Sequence, residues 1–418
     1  MVAAMLVPAV TGWDVHVRWF PPVHASWAPR VGAGTLPALL LAVLLVRFAP
    51  GLAARLSWAR LLVAAYAGGL AWMLALALVD GPTGVGQVLV HPYEYLQTAR
   101  ATSDFPATLQ TYVERIPYAA APDNWPVHIA GHPPGALGFF VVLVRLGLGG
   151  WFAAGLVVTL VAASTAAAVL VTLRRLGAEE SARAAAPFLV AGPAAIWQCV
   201  SADAMFAAVA AWGMAALAAA ATTTGGRRLA WSLIAGAVLG YTVMLSYGLP
   251  LLAILAIAVL LAARTWWPLL PAAAAATAVV LGFAAFGFSW WEALPVLRER
   301  YWDGVASNRP AAYWMWGNLA ALLFAAGPIA AAAVGRLVAA GRRTPDRVVS
   351  LLAGAGVAMV LAADASQMSR AEVERIWLPF VPWILVATAL LPEPWRRRGL
   401  VVQVVFALLV QHLLHPDW

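Results

Sequence analysis

The sequence has a single cysteine, no lysine and few charged residues of either sign. Because Cys199 stands alone, an internal disulfide, a zinc site built from several thiolates and a Cys-X-X-Cys redox pair are all excluded. Charged residues make up 11% of the 418 residues, against about 25% in typical soluble domains. Apolar residues make up 63%, more than a soluble chain of this length can hide from water. This composition predicts an integral membrane protein.

The excess of positive charge does not indicate a nucleic-acid-binding protein. The net charge is +8, and every basic residue is an arginine. These arginines form no single basic stripe but lie in short clusters between apolar runs, as they do in the loops of membrane proteins. We therefore exclude nucleic acid as a partner and expect membrane lipids around the chain.

Twelve apolar runs are candidates for helices that cross the bilayer. About 17–25 residues are needed to cross roughly 30 Å of hydrocarbon. The candidate spans are 33–49, 61–79, 151–173, 184–200, 204–222, 229–247, 248–264, 266–288, 318–335, 348–363, 376–391 and 400–414. They predict an all-α polytopic membrane protein with one domain over 1–418. No repeat relates the two halves, which counts against a transporter built from internal repeats.

The short apolar run 134–148 determines on which side the later loops lie. If this run crossed the membrane, every later loop would change sides and the paired arginines would lie outside. If it lies along the membrane surface, one side carries 16 arginines with four acidic residues, and the other carries 10 with 14. The arginine-rich side is then cytoplasmic throughout, as the positive-inside rule requires. We therefore predict twelve spans in a multi-pass protein of the cell membrane, with both termini outside and 134–148 as a juxtamembrane helix.

The predicted outer side holds one long loop and most of the acidic residues. The first outer segment, 80–148, is far longer than the roughly 15 residues beyond which structureless loops are uncommon. Charged residues are costly in hydrocarbon, so they collect where water or a substrate reaches them. The acidic residues concentrate in 80–132, at Asp203, in 292–303 and in 364–374. Because these segments share one side, they predict a single cavity on the extracytoplasmic face.

Several motifs follow one another between residues 60 and about 330. The long loop contains VHPYEYLQTARATSDF, with an acidic residue in a short helix, and GHPPGALGFF, which opens the juxtamembrane helix. LVTLRRLGAEESARAAAPFLVAGPAAIWQCVSAD joins paired arginines to an outer aspartate. VMLSYGLPLLAI and NRPAAYWMWGNLAALLFAAGP follow. In this order the motifs resemble those of the GT-C glycosyltransferases, and most closely the branch of the protein O-mannosyltransferases and aminoarabinose transferases.

The resemblance implies a GT-C-type bundle that moves a sugar from a polyprenyl-phosphate carrier to a lipid, glycan or protein acceptor outside the membrane. Inverting transfer needs a carboxylate that removes the proton of the acceptor hydroxyl, and cations that stabilise the departing phosphate. The family's usual catalytic aspartate aligns with Tyr93, so the adjacent Glu94 is the first candidate for the base and Asp80 the second. The family's two motif lysines align with His132 and Tyr247.

Three residues are candidates for binding the donor phosphate: His132, Arg375 and Arg309. A different role for His132 is to cap the juxtamembrane helix. For Arg375 and the adjacent Glu374, a different role is an interfacial salt bridge that anchors the eleventh span. The predicted lining of the substrate cavity consists of Tyr93, Tyr95, His128, Asp203, Tyr247, Tyr301 and Glu374.

A divalent cation is a further expectation for the long loop. His91 and His128 have spacings to Glu94 and His132 that suit metal ligands, although prolines after His132 interrupt regular helix. A zinc hydrolase is the function that corresponds to such a site. The sequence leaves two more functions open. One is a multi-helix transporter, and the second is an assembly subunit that has kept the GT-C fold but lost its base, because of Tyr93.

Overall fold

The computed structural model describes residues 1–17, 19–341 and 346–416, which are almost entirely helical. Its first helices are α1 (Val2–Thr11), α2 (Thr35–Arg55), α3 (Trp58–Ala77), α4 (Tyr95–Ala101), α5 (Phe105–Gln110), α6 (Val127–Ala130), α7 (Pro134–Arg145), α8 (Trp151–Arg175), α9 (Glu179–Val190), α10 (Ala195–Gln198) and α11 (Ala202–Thr222). The next are α12 (Gly225–Val243), α13 (Leu252–Ala263), α14 (Leu269–Ala285), α15 (Trp290–Asp303), α16 (Ala311–Ala326), α17 (Pro328–Ala340), α18 (Arg347–Ala365), α19 (Val373–Ile376), α20 (Val381–Leu385) and α21 (Glu393–Leu413). Two short strands, β1 (Ala25–Trp27) and β2 (Leu414–Pro416), pair antiparallel.

Among the described residues, five helices are long and apolar enough to cross a membrane. They are α2, α3 with its continuation to Asp80, α8, α11 and α18. Two bent pairs, α14 with α15 and α16 with α17, raise the number to seven if each pair forms one span. By the length and composition of its helices the chain is a membrane protein. The twelve predicted spans are not confirmed, and Arg342 and Arg343, which we predict to be cytoplasmic, lie outside the described residues.

One predicted span contains a bent helix pair, and another ends at such a bend. Within the predicted span 318–335, α16 and α17 meet at 111°. The bend lies at Gly327, which has a φ of 79°, and at Pro328, which has no N–H to continue the hydrogen bonding of α16. The predicted span 266–288 ends at a similar bend, because α14 and α15 meet at 74°.

Three further predicted spans contain shorter helices. In 184–200, α9 stops at Val190, just before a Gly-Pro pair. In 248–264, α13 has 12 residues. In 376–391 the α-helical residues are the last residue of α19, Ile376, and the five residues of α20, which a 3-10 helix follows. Hydropathy locates such apolar segments, but it does not reveal where the backbone hydrogen bonding is interrupted.

The run 134–148 forms a helix too short to cross the bilayer. The 12 residues of α7 extend about 18 Å, against roughly 30 Å of hydrocarbon. Near its C-terminal end, Arg145 donates a hydrogen bond from Nη2 to the backbone oxygen of Ser103, at 3.1 Å. The helix therefore packs on the long loop, and its length is that of a helix that does not cross the bilayer.

The alanine-rich helix α11 lies at the centre of the bundle. Of its most apolar 18-residue window, 89% is buried, against 17% for α2 at the periphery. Small side chains let neighbouring helices approach closely, and α8 and α12 pack along both sides of α11. Between α12 and α14 the approach is so close that a Cβ on Gly236 would lie 2.1 Å from the backbone oxygen of Ala272. This rigid packing positions the end of α11 that carries Asp203.

Segments near both termini meet the long loop at one end of the bundle. In the sheet, Trp27 pairs with Leu414. Beyond it, Arg30 donates from its backbone N–H to the oxygen of His412, at 2.8 Å, and from Nη1 to the oxygen of Leu414, at 2.7 Å. We call the contacts of β1 and Arg30 with His412–Pro416 the terminal clasp. The short turns between α3 and α4 lie against it, so residues far apart in sequence surround one cavity.

Candidate functional site

A cavity of about 540 Å³ lies between the long loop, the segment before α20 and the C-terminal segment. Its polar lining includes Asp80, His91, Glu94, Arg375, Gln411 and His415. The volume is within the range of roughly 300–1,000 Å³ that is typical of small-molecule sites. The first and second candidates for the base thus share a cavity with one predicted phosphate ligand.

Glu94 directly precedes α4 and is only 6% exposed. A tight turn places it there, because its backbone N–H donates to the oxygen of His91 at 2.9 Å. His128, at the start of α6, donates from Nδ1 to Oε1 of Glu94 at 2.8 Å. The backbone N–H of His128 also bonds to the oxygen of Tyr93, at 3.2 Å, which fixes α6 against this turn. One oxygen of the Glu94 carboxylate, Oε1, therefore accepts a hydrogen bond from His128.

Opposing effects set the pKa of Glu94. Burial alone would raise the pKa, because it disfavours the charged form. The charge of His128 and its hydrogen bond, with a further contribution from Arg375, outweigh burial and lower the pKa below its usual value. Glu94 is therefore an ionised carboxylate at neutral pH, ready to accept a proton.

Arg375, in the short helix α19, is 6% exposed and forms ion pairs with two carboxylates. Its Nη1 donates to Oδ2 of Asp203 at 2.7 Å, and its Nη2 to Oε2 of Glu372 at 3.2 Å. Asp203 is buried in the first turn of α11, where Ser201 caps the helix. Burial alone would lower the pKa of Arg375, but Asp203, Glu372 and Glu94 raise it, so the guanidinium stays charged.

Arg309 belongs to a neighbouring network and does not line the cavity. Its Nη2 lies 3.7 Å from Oε1 of Glu372 and 3.0 Å from Nε2 of His24. Arg309 and Arg370 also donate to each other's backbone oxygens, and the hydroxyl of Tyr301 accepts from the N–H of Arg370 at 2.9 Å. Of the predicted phosphate ligands, Arg375 alone lines this cavity within the described residues.

His132 lies near Glu94 but does not line the cavity. Its Nδ1 is 2.7 Å from both the backbone oxygen of His128 and the hydroxyl of Tyr95. The carbonyl can only accept, so we assign the Nδ1 proton to this bond. Burial lowers the pKa of His132, although Asp203 partly opposes the shift. His132 is thus a neutral ring that stabilises the loop around Tyr95, which stacks on Phe140 at 4.9 Å.

Asp80 is more fully engaged than Glu94. Arg30 donates to both of its oxygens, through Nε to Oδ1 and through Nη2 to Oδ2 at 3.3 Å. Gln411 adds a third hydrogen bond, from Nε2 to Oδ2 at 2.8 Å. An aspartate that already accepts three bonds and is paired with a cation is less available as a base than Glu94.

Glu374 is completely buried, and neither carboxylate oxygen has a hydrogen-bond partner among the described residues. Burial raises the pKa of Glu374 to about 8, with a smaller contribution from the nearby Glu372. Unlike its neighbour Arg375, Glu374 does not line the cavity. Its carboxyl is therefore mostly neutral at pH 7.

Two predicted cavity tyrosines lie elsewhere. Tyr93 is 54% exposed and packs its ring on His91, at 4.9 Å between centroids. Tyr247 packs on Trp290, at 5.8 Å, and its buried hydroxyl has no partner among the described residues. Neither tyrosine lines the cavity, and the same is true of the other residues that were predicted to line it: Tyr95, His128, Asp203, Tyr301 and Glu374.

The expected divalent-cation site does not form in the described part of the chain. His128 reaches Glu94, but the Nδ1 of His91 accepts instead from the backbone N–H of Tyr93, at 3.4 Å. Within 1–17, 19–341 and 346–416, no group of three His, Cys, Asp or Glu residues is arranged to hold a metal ion.

Sequence reasoning did not predict several residues of this region. Arg30, Gln411 and His415 come from segments near the termini, where no motif links them to Asp80. Glu372, which joins Arg375 to Arg309, stands in a segment whose ionisable residues are all candidates, but a role was assigned only to its neighbours Glu374 and Arg375. The signal for Glu372 was its position two residues before one of those neighbours, Glu374.

Comparisons with known proteins add no relative, since neither a scan against protein-family models nor a search of the curated proteins finds a match.

Proposed function

We propose that the protein is an inverting glycosyltransferase that moves a sugar from a polyprenyl-phosphate carrier to an acceptor hydroxyl. The observation that carries this proposal is an ionised, buried carboxylate, Glu94, which shares a cavity with the buried cation Arg375. The resemblance to GT-C enzymes, carried by the motif that contains Glu94, supports the same function. In this proposal the bundle is of the GT-C type.

Glu94 and Arg375 have separate roles in the proposed reaction. As the acceptor oxygen attacks the anomeric carbon, its proton passes to the carboxylate of Glu94. The bond from the anomeric carbon to the phosphate oxygen breaks, and the polyprenyl phosphate leaves with the electron pair. Arg375 stabilises the charge that develops on this phosphate. Attack opposite the leaving group inverts the configuration at the anomeric carbon.

The surroundings of both side chains support these roles. His128 keeps Glu94 ionised, so that the base is present at neutral pH. Asp203 fixes one side of Arg375 at 2.7 Å and is itself only 2% exposed, so this ion pair is shielded from water. Glu372 is 25% exposed at its side chain and binds Arg375 at the longer distance of 3.2 Å. A phosphate therefore competes most easily with Glu372 for the guanidinium.

Replacement of Glu94 by Gln tests the proposal directly. The variant keeps the shape of the side chain but removes its basicity, and a general base typically contributes about 10²–10⁴-fold to the rate. We expect turnover of a labelled polyprenyl-phosphate sugar to fall by such a factor while donor binding stays near normal. The measurement is single-turnover transfer by the full chain in lipid nanodiscs, with donor binding measured in parallel.

Two variants serve as controls. Glu114→Gln changes an exposed acid of the same loop and is expected to leave turnover unchanged. Asp80→Asn tests the second candidate for the base: if it abolishes turnover while Glu94→Gln is active, the base is Asp80. Full activity in both variants would contradict the carboxylate mechanism, and absence of turnover in the parent protein would favour the transporter or the inactive subunit.

The proposal includes twelve crossings and a cavity that opens on the extracytoplasmic side. Cysteine mapping in a Cys199→Ser background tests this arrangement. We expect a membrane-impermeant thiol reagent to label Asp123→Cys and Asn308→Cys in intact cells, because both positions are exposed near the predicted outer loops. Arg397→Cys, equally accessible in the fold, is expected to react only after permeabilisation. Labelling of Arg397→Cys in intact cells would overturn the orientation.

A further inference from the structure

The cavity has a second polar surface, separate from Glu94 and Arg375. We call it the terminal wall and define it as Asp80, Thr83, Gln87, Gln411 and His415, all of which line the cavity. The wall combines the turns after α3 with the end of α21 and strand β2. The shape of the wall therefore depends on the terminal clasp, which joins β1 and Arg30 to His412–Pro416.

The terminal wall carries no unbalanced charge. Asp80 is its one acidic residue, and Arg30, which lies behind the wall, donates to both oxygens of that carboxylate. Among the cavity-lining residues, the remaining charged side chains are Glu94 and Arg375. The wall does not attract an anion, because its one charged group is the carboxylate of Asp80. It attracts a cation only weakly, because Arg30 already neutralises that carboxylate.

The wall nevertheless has unused hydrogen-bonding capacity. Within the described chain, the side chains of Gln87 and His415 bond to no other residue. Gln411 is 3% exposed and uses its Nε2 for Asp80, which leaves its amide oxygen as an acceptor. An amide and an imidazole each supply both a donor and an acceptor. Such groups match hydroxyls, which donate and accept at the same atom.

From this combination we propose that the terminal wall binds the hydroxyl-bearing ring of a glycosyl group. The assignment deepens the proposed function and rests on it for the reaction in which that ring takes part. The buried amide of Gln411 and the fixed carboxylate of Asp80 orient the ring, and the exposed Gln87 and His415 close over it. Arg375 then holds phosphate in the same cavity, beside the ring.

Binding of free sugars by the full chain tests the terminal wall. The probe is a panel of methyl hexopyranosides, followed by saturation-transfer NMR with the protein in lipid nanodiscs. We expect transfer to ring protons in the parent protein, and an apparent affinity about three- to tenfold weaker in Gln87→Ala, the loss of roughly one neutral hydrogen bond. Methyl phosphate, which has no alcohol hydroxyl, is expected to show no dependence on Gln87. Because Gln87 is exposed, this variant does not disturb the fold.

A second variant and two controls complete the test. Gln411→Ala is expected to weaken glycoside binding at least as much as Gln87→Ala, while Glu114→Gln is expected to bind like the parent. Glu94→Gln is also expected to bind the glycoside, so a failure of the base assignment does not affect this result. Equal transfer in the parent and both glutamine variants would overturn the proposal, and so would transfer that depends on Glu94 alone.

The source of the ring is distinguished by competition. Bare polyprenyl phosphate is expected to leave glycoside binding intact, since it lacks a sugar. If polyprenyl-phosphate hexose abolishes the glycoside signal, the wall binds the sugar of the donor. If the signal persists beside the bound hexose donor, the wall binds a sugar of the acceptor. Displacement of the glycoside by bare polyprenyl phosphate would contradict a separate hydroxyl-binding wall.

Discussion

Glu94 in the long loop and Glu374 in the segment before α20 are both buried glutamates, yet at neutral pH Glu94 is ionised and Glu374 is mostly neutral. Glu94 is 6% exposed and Glu374 is 0% exposed, so burial alone predicts a raised pKa for both carboxyls. The pKa of Glu94 is nevertheless lowered, whereas that of Glu374 rises to about 8. Burial therefore does not determine the charge by itself.

The difference lies in what each carboxyl contacts. Glu94 accepts a hydrogen bond from His128 at 2.8 Å and faces a cavity. Glu374 has no hydrogen-bond partner among the described residues, and Glu372 adds a negative charge nearby. Although Arg375 is adjacent in sequence to Glu374, its guanidinium is directed to Asp203 and Glu372. A buried acid stays ionised only where a donor reaches it.

The largest expected effect that follows from this comparison concerns stability. Because the pKa of Glu374 is about 8 in the folded protein and about 4.5 when unfolded, the unfolded state ionises first as the pH rises. The part of the cost of burying Glu374 that depends on ionisation is therefore absent below the unfolded pKa, and it grows until the pH exceeds the folded pKa. Glu374→Gln, which stays neutral, is expected to stabilise the fold by a few kcal/mol at pH 8 and hardly at all at pH 4.

Thermal unfolding in nanodiscs between pH 4 and pH 9 measures this difference. The matched control is Glu114→Gln, since Glu114 is exposed and its replacement is expected to show no pH-dependent gain. A gain for Glu374→Gln that is the same at all pH values would show that ionisation of Glu374 is not the cause, and the contrast with Glu94 would fail.

Part of the candidate site could be predicted from the sequence, because composition determines where charged groups are tolerated. Arg375 was selected because ionisable residues beside an apolar run are rare in a chain with 11% charged residues, and Glu94 because of the motif that resembles those of GT-C enzymes; the two do share a cavity. The pairing of Asp203 with Arg375 was not predicted, because the two residues are 172 positions apart. No periodic pattern encodes such a contact.

Long-range partners and helix breaks were harder to predict from local patterns. Asp80 was ranked as the second candidate for the base, but its partners Arg30 and Gln411 lie 50 and 331 residues away. Within the described residues, five of the twelve apolar runs coincide with helices that are long enough to cross a membrane, whereas the bend at Gly327 and Pro328 was not predicted inside its span. A Gly-Pro pair is a local signal for such a break. Long-range ion pairs have no comparable signal.

A smaller effect, on the pH dependence of turnover, is expected from replacement of His128, the residue that keeps Glu94 ionised. His128→Gln preserves a hydrogen-bond donor for Glu94 but removes the ring that can carry a positive charge. The pKa of Glu94 should therefore rise, since burial is then opposed less strongly. In the parent protein the lowered pKa keeps Glu94 ionised at pH values below its usual pKa of 4.5. In His128→Gln we therefore expect the acid limb of the pH profile of kcat/KM to lie at higher pH than in the parent.

At neutral pH the same variant should retain most of its turnover, because Glu94 remains largely ionised there. This expectation separates a supporting His128 from a catalytic one. If His128→Gln at pH 7 is as inactive as Glu94→Gln, His128 is the group that takes the acceptor proton, and Glu94 only orients its ring, as an aspartate orients histidine in a catalytic triad. If instead only the acid limb shifts, the carboxylate itself accepts the proton. The experiment thus decides which member of the hydrogen-bonded pair touches the acceptor hydroxyl.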